Sequence, residues 1–300
     1  AQKLDVAGKH VIITGGSSGL GLGVARRMAE AGAHITLIAR KPAGLATAQE
    51  QVLAARVNPD TQHVLFVSAD LANGYDGVSK AIDDAISAMN SAVGKSVKLE
   101  ALFCCAGAAQ PGFLMDQDPS VLEWSMKTNY LSAAYAARAA AIHMTSASKK
   151  DGGHIILVSS MAGLYAFTGY TQYSASKYAL RGFGEALRSE LLPYNIKVTM
   201  FYPGNIDTPG FETENQNKPA VTAAIEGKST PKSPLGCADD LISGMHRGLH
   251  SISTEFDGDL LMAATITSSP KGNVVVDWIL SGIAYIALLF VRTDHDSTVR

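Results

Sequence analysis

Tyr173 and Lys177 lie four residues apart, a spacing that places both on one face of a helix. A free tyrosine, with a pKa near ~10, holds its proton too tightly to act as a base at neutral pH. A neighbouring ammonium stabilises the phenolate and is expected to lower that pKa. Running towards reduction, Tyr173 would give a proton to a carbonyl oxygen as hydride reaches the carbon. Ser160, at the end of an apolar run, can hydrogen-bond the same oxygen and share the developing charge. Asn129 is a polar residue with room for a structural or proton-relay role. A Tyr-x-x-x-Lys pair alone is commonly a surface feature, and this one gains weight from its company.

That company begins with Thr14-Gly15-Gly16-Ser17-Ser18-Gly19-Leu20-Gly21. Gly15 allows a tight turn out of a strand, Gly19 lets the backbone approach a pyrophosphate, and Gly21 lets the next helix pack closely. The helix start offers free N–H groups to phosphates, with Ser17 and Ser18 beside it. The second apolar run ends at Ala39-Arg40-Lys41. An acidic residue there would suit the ribose hydroxyls of NAD; Arg40, helped by Lys41 and Ser17, suits a 2′-phosphate and points to NADPH/NADP+. Asp70, followed by Leu71, can meet an adenine amino group or cap the next helix.

These residues need a scaffold, and the chain alternates accordingly. His10–Thr14, Ile35–Ala39, Val64–Ser68, Ala101–Cys104, Ile155–Val158 and Ile196–Phe201 read as short buried strands. Amphipathic stretches at Leu20–Ala31, Gly44–Ala55, Val78–Met89, Val121–Thr145 and Tyr173–Leu192 separate them. A helix at Ala238–Leu249 and a last strand near Ile252–Phe256 follow. The alternation predicts an α/β fold: a Rossmann-type doubly wound parallel sheet of about seven strands, helices on both faces, in one domain over residues 1–300. With 47% hydrophobic and 17% charged residues the chain is apolar for a soluble protein. A net charge of -2 gives no reason to expect a nucleic-acid partner. Cys104, Cys105 and Cys237 show neither disulfide-framework nor metal-ligand spacing. No signal peptide is visible in the polar first residues, and Ala1 in place of an initiator Met leaves room for residues upstream.

Together these motifs resemble the short-chain dehydrogenases/reductases. The match comprises the glycine loop Thr14–Gly21, the tetrad Asn129, Ser160, Tyr173 and Lys177, and Pro203–Thr208 as Pro-Gly-x3-Thr, within roughly Gly8 to Leu249. The resemblance implies that Lys177 also binds the nicotinamide ribose and that Asn129 holds a water on a proton-relay path. It implies that Pro203, Gly204, Ile206 and Thr208 line the nicotinamide, and that Ala106-Gly107 gives the cofactor backbone room. One departure is Cys104-Cys105 where the family carries two asparagines, which removes side-chain bonds that brace this turn.

Two further features narrow the substrate. Asp207–Glu212 with Glu214-Asn215 and Lys218-Pro219 is similar to the branch that reduces 3-ketodihydrosphingosine, a long-chain 3-keto base, as are Arg40-Lys41 and Cys105-Ala106-Gly107. The alternatives are reductases of steroids, retinoids or 3-ketoacyl groups, and a catalytically silent member of the fold. The polar, proline-bearing stretch 210–235 reads as a substrate lid. The apolar run Val274–Val291 contains a charge-free stretch, Trp278–Val291, that would extend about 21 Å as a helix, against roughly 30 Å of bilayer hydrocarbon. It is short for a span. It is expected to be a membrane-associated element that keeps the enzyme at the cytosolic face of the endoplasmic reticulum; a buried or subunit-packing segment is the alternative. The expected assembly is a homo-oligomer.

Overall fold

A computed structural model describes residues 4–146, 152–227, 230–265 and 273–299. Seven parallel strands form one sheet in the order β3-β2-β1-β4-β5-β6-β7. They are β1 (His10–Thr14), β2 (His34–Ala39), β3 (Val64–Ser68), β4 (Leu99–Cys104), β5 (Gly153–Val158), β6 (Ile196–Tyr202) and β7 (Ser251–Ser253). Being covered on both faces, the strands are apolar on both. Ile12, Leu102, Ile155 and Leu157 face a core with α3 (Tyr75–Val93), α5 (Ser132–Ser146) and α6 (Thr171–Leu191). Their neighbours Val11, Ile13, Phe103 and Ile156 face a second core with α1 (Gly19–Glu30), α2 (Pro42–Leu53) and α9 (Pro234–His246). The strand order reverses between β1 and β4, and a crevice at the carboxyl ends of the strands is the usual ligand site of such a sheet.

The expected elements form with adjusted ends. Pro42 starts α2 early, because proline is well suited to a helix's first turn. The last strand is shorter than expected, since Phe256 already begins α10 (Phe256–Thr265). The single long helix expected over 121–145 is α4 (Ser120–Met126) running through a π turn at Lys127–Leu131 into α5. A π turn inside a helix frequently marks a functional site, and this one carries Asn129.

The stretch 210–235 is more ordered than its polar composition suggested. Thr208 caps α7 (Pro209–Gln216) by accepting from Phe211 N at 3.1 Å, and α8 (Ala220–Glu226) follows. Residues 228 and 229 of this stretch lie outside the described residues. A single parallel bridge, Ile206 to Lys232, closes it. The apolar run becomes α11 (Val274–Val299), which packs on α10 and α8. It is not the buried core segment that was one alternative: Ala284 is buried, whereas Trp278, Ile279, Ile283, Tyr285, Ile286 and Phe290 are exposed. Among the described residues, no helix is long and apolar enough to cross a membrane.

Candidate active site

All the chemistry-bearing residues sit at the carboxyl ends of strands or on helices that start there. After β1, Gly15 turns at φ +66°, and a Cβ there would lie 2.8 Å from Ala106 N, so the loops after β1 and β4 meet through glycine. Gly19 has φ +53°, and a Cβ on it would collide with Thr208 Cγ2 at 2.8 Å. A Cβ on Gly21 would strike the Gly15 carbonyl. The N-cap of α1, Ser18, makes no side-chain capping bond, and the first turn holds no acidic residue. Its N–H groups and positive dipole end therefore remain available to a phosphate. This cradle fits a dinucleotide's pyrophosphate.

The discriminating end of that site is basic. Arg40 and Lys41 are exposed directly after β2, and the Arg40 side chain makes no ion pair among the described residues. Ser17 is adjacent: a Cβ on Gly44 of α2 would stand 3.7 Å from Ser17 Cβ. Asp70 does not cap α3, whose N-cap is Gly74; its carboxylate instead accepts from Ala72 N at 3.0 Å and holds the turn after β3, with Leu71 buried beneath.

The brace expected to be missing at Cys104-Cys105 is partly supplied by Thr14, whose hydroxyl accepts from Ala106 N at 3.3 Å. Cys105, near the Lys177 charge, keeps its proton: burial pushes its thiol up to about 12, although the ammonium pulls the other way. A Cβ on Gly107 would touch Asn129 Oδ1 at 2.9 Å and Lys177 Nζ at 3.4 Å, so the turn after β4 lies against the tetrad.

Asn129 is fully buried. Its Nδ2 donates to Ala108 O at 2.9 Å and to Ser125 Oγ at 3.2 Å, and its Oδ1 accepts from Ala108 N at 2.9 Å. Three of the amide's four positions are thereby taken by protein, and the side chain works as a clamp on the loop carrying Ala106 and Gly107. Ser125 was not anticipated. It ties this clamp to the catalytic helix by donating to Gln172 O at 3.0 Å.

Lys177 is buried, and its Nζ donates to Val158 O at 2.9 Å. Burial pulls its pKa down to about 8. Its Nζ stands 5.6 Å from the Tyr173 ring centroid. The expectation that it lowers the tyrosine's pKa is overturned. Burial, and then the charge of Glu214, hold the Tyr173 hydroxyl well above its usual value, while a hydrogen bond with Ser160 pulls the other way. The low polarity around the phenol outweighs a cation that faces a backbone carbonyl instead. Tyr173 is thus a protonated phenol, the state a proton donor needs. Ser160 Oγ also accepts from Ala162 N at 3.1 Å, which fixes the hydroxyl beside the tyrosine. Pro203 is buried, and its carbonyl accepts from Met161 N at 3.1 Å; Gly204 N donates to Thr254 Oγ1 at 3.1 Å. Pro203–Thr208 therefore leads from the end of β6, past the Ser160 turn, to the glycine loop.

Four residues near the tetrad carried no assigned role in the sequence reading. The Tyr170 hydroxyl, with one proton to give, faces two carboxylates: it is hydrogen-bonded to Glu214 and stands 3.0 Å from Glu226 Oε1. Lys218 Nζ lies 2.5 Å from Glu226 Oε2 and 3.5 Å from Glu214 Oε1. Glu214 and Lys218 stand out in the sequence only as part of the substrate-branch resemblance.

Residues 9–219 match the family model described as short chain dehydrogenase. The chain is 35% identical to a 3-ketodihydrosphingosine reductase of Bos taurus, covering 100% of this chain and 88% of that one. It is 36% identical to a 3-dehydrosphinganine reductase of Danio rerio, again covering 100% and 88%. Among solved structures, a short-chain dehydrogenase/reductase from Mycobacterium ulcerans shares the fold with a TM-score of 0.69 at 22% identity, over 81% of this chain and 84% of that one. One from Burkholderia phymatum, in complex with NAD, has a TM-score of 0.68 at 22% identity, over 84% and 90%. A nicotinamide dinucleotide is the hydride carrier that this family membership and the glycine cradle imply. With its family model, its relatives and its tetrad in agreement, the chain belongs to the short-chain dehydrogenase family, and it is an oxidoreductase.

Proposed function

We propose that this enzyme reduces 3-ketodihydrosphingosine to dihydrosphingosine with NADPH, in sphingolipid biosynthesis. The observation that carries the reading is the reach of the likeness: relatives bearing that name align over all of this chain, including the 210–235 stretch and α11, and not only over the nucleotide-binding part. Arg40, exposed after β2 where an acidic residue would favour NAD, supports the preference for NADPH.

The nicotinamide, when bound, supplies a hydride to the carbonyl carbon. The chain's own residues do the rest. Gly15, Gly19 and the start of α1 hold the pyrophosphate, and Arg40 and Lys41 take the 2′-phosphate. Lys177 binds the nicotinamide ribose, and Pro203–Thr208 lines the nicotinamide. Ser160 and Tyr173 hold the substrate oxygen, and Tyr173 releases its phenolic proton to it. The segment α7–α8 covers the substrate as a lid.

The exposed apolar face of α11 supports a place at the cytosolic surface of the endoplasmic reticulum membrane. Val275, Ile279, Ile286 and Phe290 recur at helical spacing on one side, flanked by Trp278 and Tyr285. A face of this kind, too short to span, suits a helix lying in the headgroup boundary. Each methylene of the substrate's alkyl chain contributes about 0.8 kcal/mol to leaving water, so the substrate concentrates there too. The enzyme works as a homo-oligomer, which light scattering after size exclusion would test. The function is tested by NADPH oxidation over a panel of long-chain 3-keto amines, 3-ketoacyl thioesters and steroids. The 3-keto amine should give the highest kcat/KM, and a higher value for a thioester or steroid would replace this reading.

A further inference from the structure

We propose that Glu214 is the counter-ion for the ammonium group beside the reacting carbonyl, and so selects 2-amino-3-ketones over ketones lacking the amine. The inference rests on the function proposed above and adds to it the residue that reads the amine. The first ground is a charge count in a buried place. The Glu214, Lys218 and Glu226 side chains are 17%, 4% and 14% exposed. Among the described residues around Tyr170 they amount to two carboxylates and one cation.

The second ground is how that single cation is shared. Lys218 Nζ is 2.5 Å from Glu226 but 3.5 Å from Glu214, and it also lies over the Phe211 ring at 4.9 Å. Glu226 is thus the better neutralised carboxylate, and Glu214 is left mainly with the Tyr170 hydroxyl. A buried carboxylate without a full counter-charge is costly. Burial accordingly raises the Glu214 pKa, with the Tyr170 bond and Lys218 opposing. A cation arriving with the substrate would relieve that cost.

The third ground is position. Tyr170 bridges Glu214 to the reaction centre: its ring centroid is 5.8 Å from that of Tyr173. The Glu214 charge is felt at the Tyr173 hydroxyl itself. The substrate proposed above carries its amine on the carbon next to the ketone, and Glu214, bonded to the Tyr170 hydroxyl, is the carboxylate on that side of the proton donor. The cluster is also held in place. Thr222 of α8 donates to Thr168 O at 3.0 Å, and Gly169, at φ +88°, leaves room for Thr222, so α8 is pinned to the turn that presents Tyr170.

The competing account is that Glu214 only fastens α7 to α6. A selectivity ratio separates the two, because a fastening role, or an effect on Tyr173, changes turnover of every ketone alike. With NADPH, kcat/KM is measured for 3-ketodihydrosphingosine and for the 1-hydroxy-3-ketone of equal chain length without the amine. Wild type should favour the amine at least about tenfold, and Glu214→Gln should lower that ratio at least about tenfold, mostly through KM, as expected for losing a charge-assisted bond. A ratio unchanged in Glu214→Gln overturns the inference while leaving the proposed function standing. If Glu214→Gln does not fold, the wild-type ratio decides alone: equal handling of the two ketones overturns the proposal. A wild type that reduces other ketones but not 3-ketodihydrosphingosine overturns the proposed function, and this inference with it.

Discussion

Two regions converge on Tyr173 and Lys177, and they are built differently. The nucleotide side is built largely around backbone: glycine turns after β1 and β4, an uncapped start of α1, and a loop whose Ala108 backbone the Asn129 amide clamps. The substrate side is made of side chains, with Glu214, Lys218 and Glu226 gathered around Tyr170 and the bare apolar face of α11 beyond. A pyrophosphate and a carbonyl place fixed geometric demands, and few residue types meet them. A long-chain amine asks only for a charge and an apolar surface, which many arrangements provide.

The sharpest way to break this contrast is Tyr173→Phe. It removes the proton donor while keeping the ring, so kcat should fall about 10²–10⁴-fold with NADPH affinity nearly unchanged by fluorescence titration. Parallel losses of both would mean that Tyr173 belongs to the binding scaffold rather than to the chemistry. Next comes Arg40→Asp, which removes one charge-assisted contact and adds repulsion. The kcat/KM with NADPH should drop by roughly 100-fold and that with NADH should not; a wild type preferring NADH would sink the assignment.

The strands, the glycine loop and the tetrad were legible because parallel strands covered on both faces are apolar throughout and because the motif spacings fix one helix face or one turn. The electrostatics were less legible. Tyr-x-x-x-Lys spacing placed Lys177 beside Tyr173, but Lys177 points its ammonium at Val158 O, and burial decides the phenol's state. The Tyr170–Glu214–Lys218–Glu226 cluster joins residues up to 56 positions apart, through two short helices hidden in a polar stretch. No local periodicity reports such a meeting. The π turn at Asn129 was also hidden, since one extra residue per turn barely disturbs a helical pattern.

A smaller effect tests the burial of Lys177. Its folded-state pKa of about 8 lies below the usual 10.5. Between those values the unfolded chain binds a proton that the folded chain does not, so this group makes stability rise with pH, by at most about 1.4 kcal/mol per unit. Urea titrations from pH 8 to 10 should show wild type gaining on Lys177→Met. A constant difference would mean that Lys177 is solvated. The smallest expected effect concerns α11. Replacing Trp278, Ile286 and Phe290 with serine should cut vesicle flotation about threefold to tenfold, since each side chain would be only partly buried in lipid. Equal flotation of both proteins would make that face a subunit contact instead.

The most direct test of the whole account is to supply purified enzyme with NADPH and synthetic 3-ketodihydrosphingosine in vesicles and to follow product by mass spectrometry. The account predicts dihydrosphingosine formed one for one with NADPH consumed, and none from Tyr173→Phe. NADPH-dependent reduction of some other ketone, with the 3-keto base left untouched, would contradict it.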